Sequence, residues 1–219
     1  DTFAGIRSGL LPLWGTETDA QRGQMFVDLT QAPCLGDTFE VDFSLQPKVD
    51  VLWSGQPCPD WSSSHQGRRP PGDRGETGWQ FVAQTDKILE VRPHAFVIEM
   101  VPNALRVNNG AAVSAVLKSL GGLYTQYIDV VQVAAAGDAS ARERLLIVGF
   151  RKETVGAHAD GFVFSPPLYD SRCFHTARDI AVPDAEVPAA YWRYDKPPLL
   201  PRTLPVPLRM HKPATHVNP

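Results

Sequence analysis

The stretch Val49-Asp50-Val51-Leu52-Trp53-Ser54-Gly55-Gln56-Pro57-Cys58-Pro59-Asp60-Trp61-Ser62 runs from an apolar segment through a glycine turn to a cysteine set between two prolines. Residues 49–53 read as a strand, and the polar residues after Trp53 read as the loop that follows it. Proline rings fix the backbone and remove donors, so the Cys58 thiol is held in one direction on a strand-to-loop turn. An arbitrary cysteine is more often a small buried hydrophobe. This mounting tilts the reading toward a nucleophile.

Outward from this stretch, apolar runs and helical patterns alternate. Asp1-Thr2-Phe3-Ala4-Gly5 reads as a strand end entering a glycine turn, and Leu13-Trp14-Gly15-Thr16-Glu17 as a strand ending in an acid. Ala95-Phe96-Val97-Ile98-Glu99 is a further strand that ends in a carboxylate. Residues 127–133 and 145–150 read as a late strand pair, and residues 78–90 and 111–120 as helices between strands. Strands followed by helices predict an α/β fold with a mostly parallel sheet covered on both faces. Ligands in such sheets sit at the carboxyl ends of the strands. Phe3, Glu17, Cys58 and Glu99 all fall at or just past those ends. Residues 1–150 are therefore expected to form a catalytic and cofactor-binding domain. Residues 151–219, with Ser165-Pro166-Pro167 and Pro197-Pro198, read as a loop-rich segment.

The 219 residues suffice for one sizeable core, and 43% hydrophobic with 21% charged residues is ordinary for a globular protein. No apolar run is long enough to span a bilayer and no signal peptide is evident, so a soluble intracellular protein is expected. Cys34, Cys58 and Cys173 are too few and too scattered for a disulfide framework, and their spacing predicts no metal site. A net charge of −3 argues against coating nucleic acid through bulk charge. It leaves room for a local basic cleft.

Two other groups carry chemistry. Glu99 at the end of an apolar strand is costly unless it meets a partner or ligand, although a capping or ion-paired carboxylate is an equal alternative. Arg142 and Arg144 alternate with Glu143 ahead of an apolar strand, so on extended backbone both face one side. Two guanidinium groups there can hold a phosphate or a polarised carbonyl; a solvated strand edge is the alternative.

Gly55-x-Pro57-Cys58, Glu99-x-Val101 and Arg142-x-Arg144, in that order, closely resemble the DNA cytosine-5 methyltransferases. Asp1-Thr2-Phe3-Ala4-Gly5 is similar to that family's first cofactor motif, Glu17-Thr18-Asp19 to its ribose-binding acid, and Gly36-Asp37-Thr38 to the acid near the adenine. Arg74-Gly75 fits the stretch between nucleophile loop and glutamate. The resemblance covers roughly residues 1–150, and six motifs in order are far more specific than any one.

This resemblance implies a Rossmann-like class I methyltransferase fold and S-adenosylmethionine as cofactor. Phe3, Ala4, Gly5, Glu17, Thr18, Asp37, Thr38 and Pro57 would then line the cofactor site. The implied substrate is a cytosine flipped out of double-stranded DNA, as in restriction-modification systems. Cys58 would attack ring carbon 6, Glu99 would hold N3 and the exocyclic amine, and Arg142 and Arg144 would support the base carbonyl. Residues 61–75 read as a mobile loop, with Ser62, Arg68 and Arg69 as candidate DNA contacts.

The chain departs from the family pattern in four places. Residues 7–12 are too few for a crossover helix. Met100 replaces the asparagine of the usual Glu-Asn-Val, and Ser140 the glutamine before the arginine pair. The last two family motifs are not found, so residues 151–219 are expected to be part of a target-recognition region, with the missing motifs lying beyond Pro219 or supplied by a second chain. Three other readings remain open: a catalytically impaired homologue that binds DNA or a partner, a tRNA cytosine-5 methyltransferase, and a general nucleotide binder.

Overall fold

A computed structural model describes residues 9–62, 72–133 and 142–164, all within the unit Asp1–Ala177. Phe3, Ala4, Gly5, Arg68, Arg69, Ser140, Cys173 and residues 165–219 lie outside the described residues.

Helix α1 (Ala20–Thr30) opens the described chain, with the Asp19 side chain accepting from Arg22 N at its start. Strand β1 (Val51–Gly55), helix α2 (Trp79–Val91), strand β2 (Ala95–Met100) and helix α3 (Ala111–Leu120) follow. Strands β3 (Tyr124–Gln132) and β4 (Glu143–Arg151) complete one sheet in the order β1-β2-β4-β3. The helices at 78–90 and 111–120 thus form as the apolar periodicity predicts. Helix α1 was not expected from periodicity; its legible signal is Asp19 as a capping residue.

The expectation of a mostly parallel sheet is corrected to a mixed one among the described residues. β1 and β2 are parallel, joined through α2, whereas β4 runs antiparallel to both β2 and β3. The late strand pair is antiparallel, as a connection of about ten residues without room for a crossover helix requires. Residues 13–17, expected as a strand, make only an isolated parallel bridge, Gly15 with Cys34, extended by Glu17 N donating to Gly36 O at 2.9 Å.

β2 alternates strictly. Phe96, Ile98 and Met100 are fully buried and pack in one cluster with Phe81 and Ile88 of α2 and Val113, Val116 and Leu120 of α3. Each such side chain contributes on the order of 1.5–3 kcal/mol of transfer free energy. Met100, expected as a change near the base, is a core residue opposite Leu145. Phe96 faces Gly149 across the β2–β4 pair, and any Cβ at 149 would overlap its ring. The strand needs glycine there. On the other face, Phe162 packs against Tyr127 and Phe150, and Tyr127 Oη donates to Ala159 O at 2.6 Å. Residues 156–164 therefore cover the far end of that face.

Candidate active site

Glu99, Leu146 and Arg144 share the second sheet face because Glu99 pairs with Leu146 and side chains alternate along a strand. Arg144, two residues before Leu146, is the diagonal neighbour of Glu99, and the two form an ion pair. Their side chains are 19% and 14% exposed, so the pair is largely shielded from water. Antiparallel β4 brings the start of one strand beside the end of another.

β1 ends beside the same spot. Gly55 pairs with Glu99, and Gln56 N donates to Glu99 O at 3.3 Å. The chain then turns through Pro57 and Cys58 into a short 3-10 helix, Pro59–Trp61. Cys58 is half-buried, and its Sγ donates to Gln56 O at 3.3 Å. Burial pushes its thiol pKa up, the nearby Glu99 carboxylate adds to this, and Arg144, Arg142 and the Val101 backbone oppose it. Glu99, Arg142 and Arg144 thus act electrostatically on Cys58, and the four line one cleft of about 1150 Å³.

The raised thiol has a measurable consequence. Thiolate, the reactive form, is scarce in the folded protein near neutral pH. Alkylation of Cys58 by iodoacetamide should therefore climb with pH and reach half its maximum above the ordinary cysteine range. Glu99→Gln should move that midpoint down, because it removes the like charge that favours the protonated thiol. A wild-type midpoint at or below the ordinary value would contradict this electrostatic picture. The same shift stabilises the fold below the thiol's unfolded pKa, an effect lost as pH rises through the folded one.

The cleft continues from Cys58 past Pro57 to Glu17, Thr18, Asp37 and Thr38. Glu17 Oε1 accepts from Asp19 N at 3.0 Å, and Asp37 Oδ1 accepts from Phe39 N at 2.8 Å. Thr16 and Thr38 hydroxyls lie 2.7 Å apart and bridge the two segments. Two carboxyls and several hydroxyls on a wall with Trp14, Phe39 and Phe43 suit a nucleoside, which offers hydroxyl and amine donors and a flat ring. This donor set fits S-adenosylmethionine. Among the described residues no group of three metal-ligating side chains occurs, and no helix is long and apolar enough to cross a membrane.

Ser62 closes the 3-10 turn, its N–H donating to Pro59 O at 3.3 Å, and is not among the residues lining this cleft. Residues 63–71 of the expected mobile loop lie outside the described residues, and the residues on either side of them are anchored. Trp61 is 1% exposed and packs edge-on against Phe81, with ring centroids 5.4 Å apart. The Asp60 side chain accepts from Thr77 N at 2.7 Å. Gly75 sits where any Cβ would overlap the Asp60 carboxyl. Sequence reasoning missed Asp60, Thr77 and Asn103, since an acid, a hydroxyl and an amide in polar loops carry no periodic signal.

The family profile described as C-5 cytosine-specific DNA methylase matches residues 6–185. Among curated proteins, the Type II methyltransferase M.SsoII of Shigella sonnei is 34% identical over 134 residues, covering 61% of this chain and 34% of that protein. The Type II methyltransferase M.HaeII of Haemophilus aegyptius is 30% identical over 161 residues, covering 68% and 49%. This chain spans about a third to a half of the length of such relatives. A solved prophage-encoded protein of E. coli, described as a DNA modification methyltransferase, superposes with a TM-score of 0.60 at 16% identity, covering 84% of this chain and 52% of that one. The likeness shows a shared Rossmann-like α/β methyltransferase fold.

Proposed function

Because the chain belongs to the C-5 cytosine-specific DNA methylase family, we propose that it carries the catalytic half of a DNA cytosine-5 methyltransferase. The observation that supports this most is the meeting of Cys58, Glu99, Arg142 and Arg144 at one end of the sheet, in one cleft with Glu17 and Asp37. S-adenosylmethionine, when bound, supplies the methyl group. Glu17 and Thr18 would hold its ribose and Asp37 with Thr38 its adenine, with Pro57 walling the site beside Cys58.

The chain's own residues do the rest. A cytosine inside a duplex is out of reach, so the base must be flipped into the cleft. Cys58, as thiolate, forms a bond from Sγ to ring carbon 6, and the electron pair moves toward N3. Glu99 holds N3 and the exocyclic amine, and Arg144 and Arg142 face the carbonyl, where negative charge develops. Carbon 5, now electron-rich, takes the methyl group. Loss of the carbon-5 proton to a base then expels the thiolate and restores the ring. Covalent addition splits one hard step into easier ones. Phe3, Ala4 and Gly5 belong to the cofactor side of this reading, and Ser62, Arg68 and Arg69 to the DNA side. Residues 151–219 would belong to a target-recognition region, with further recognition and cofactor contacts supplied by sequence beyond residue 219 or by a second chain.

Trapping tests the reading. With 5-fluorocytosine in duplex DNA, carbon 5 carries fluorine in place of a removable proton, so the thiol cannot be expelled after methylation. The expected result is an adduct that needs S-adenosylmethionine and Cys58. No adduct with the chain, alone or in complex with a partner chain, sinks the proposal. An adduct on tRNA and none on duplex DNA would transfer it to RNA.

A further inference from the structure

Asp60 lies two residues after Cys58, is only 3% exposed, and has no part in the reaction above. A buried carboxyl is costly unless hydrogen bonds hold it. Its Oδ2 accepts from Thr77 N at 2.7 Å and from Thr77 Oγ1 at 2.8 Å. Thr77 stands just ahead of α2, so this contact fastens the cysteine turn to a helix built into the core. A second tie reaches the same turn from the other side. Asn103, four residues past Glu99, donates from Nδ2 to Trp61 O at 2.8 Å. Between the ties the turn is closed by Trp61 N donating to Cys58 O at 3.1 Å. The loop after Glu99 and the turn bearing Cys58 are thereby joined through hydrogen bonds that leave the reacting groups free.

We propose that Asp60, gripping Thr77, is a positioning residue that sets the direction of Cys58 Sγ relative to Glu99, a role that rests on the methyltransferase reading. The Pro57 and Pro59 rings stiffen the turn locally. They cannot fix its direction against the sheet; the Asp60–Thr77 grip does. A misplacement of about 1 Å costs on the order of 10²-fold in rate, so the grip acts on the reaction and not only on folding.

The test uses the full chain carrying Asp60→Ala, Thr77→Val or Thr77→Ser. Loosening the turn should expose the half-buried thiol while spoiling its aim. In the DNA-free protein, Asp60→Ala and Thr77→Val should speed iodoacetamide alkylation of Cys58 by about 5-fold or more, because access limits a half-buried thiol. The same variants should slow adduct formation with 5-fluorocytosine DNA by about 10-fold or more and leave S-adenosylmethionine affinity within about 2-fold. Thr77→Ser keeps both donors and should match wild type. Thr77→Val at wild-type rates in both assays overturns the proposal. So does a loss of adduct matched by equal losses of cofactor affinity and thermal stability, which assigns Asp60 to folding alone. If Asp60→Ala does not fold, the two Thr77 variants decide. A wild-type chain that forms no adduct would count against the methyltransferase reading, while the alkylation comparison would still decide the positioning role.

Discussion

Cys58→Ser should lower methyl transfer by on the order of 10⁴-fold, as loss of a covalent nucleophile does. A serine hydroxyl is far less ionised than a thiol and a poorer leaving group from carbon 6, so both addition and expulsion suffer. The wall of the cleft at Glu17 and Asp37, where the cofactor is proposed to bind, is built on other segments and is untouched by the change. S-adenosylmethionine affinity, measured by calorimetry, should therefore stay within about 3-fold, since only the reacting group has changed. The 5-fluorocytosine adduct should vanish. Turnover retained in this variant would require another nucleophile. Among the described residues the other cysteine is Cys34, whose Sγ lies 4.0 Å from Glu17 O and against Gly23.

Glu99→Gln is expected to have the next largest effect, a fall in kcat of about 10²–10³-fold, the range for removing one preorganised electrostatic contact. The carboxamide keeps the shape and one acceptor but loses the charge that balances Arg144 and that, in the proposed reaction, holds ring N3. Its effect on stability has a separate origin. Breaking a fully buried ion pair costs about 3–5 kcal/mol because one charge is left uncompensated. The Glu99–Arg144 pair keeps some exposure, so the expected loss is lower, about 1–3 kcal/mol. A cycle of Glu99→Gln, Arg144→Gln and the double variant separates the two effects. The double variant should recover part of the thermal stability and none of the activity. Recovery of activity in the double variant would mean that Glu99 serves the fold and not the base.

Much of this arrangement is legible in the amino-acid sequence. The apolar run before Gly55, the prolines flanking Cys58, the carboxylate at the end of residues 95–99 and the alternating arginines at 142 and 144 follow from local chemistry and periodicity. The two core helices were readable for the same reason, since their apolar spacing is set by 3.6 residues per turn. Helix α1 is not legible from periodicity because it buries only Gly23 and so shows no apolar stripe, which leaves the Asp19 cap as its signal.

Residue type and strand or helix period are local properties, so the chain alone records which residues carry chemistry. How they meet is a property of the folded chain. The antiparallel insertion of β4 beside β2 sets Arg144, at the start of one strand, diagonally across from Glu99 at the end of another. Strand direction depends on which edges pair and on the length of the connection, and no single segment records that. The fastening of the Cys58 turn by Asp60–Thr77 and Asn103–Trp61 is of the same kind. Those partners stand 17 and 42 residues apart, and their pairing is fixed by the burial of Trp61 and the packing of α2, not by any pattern in the chain.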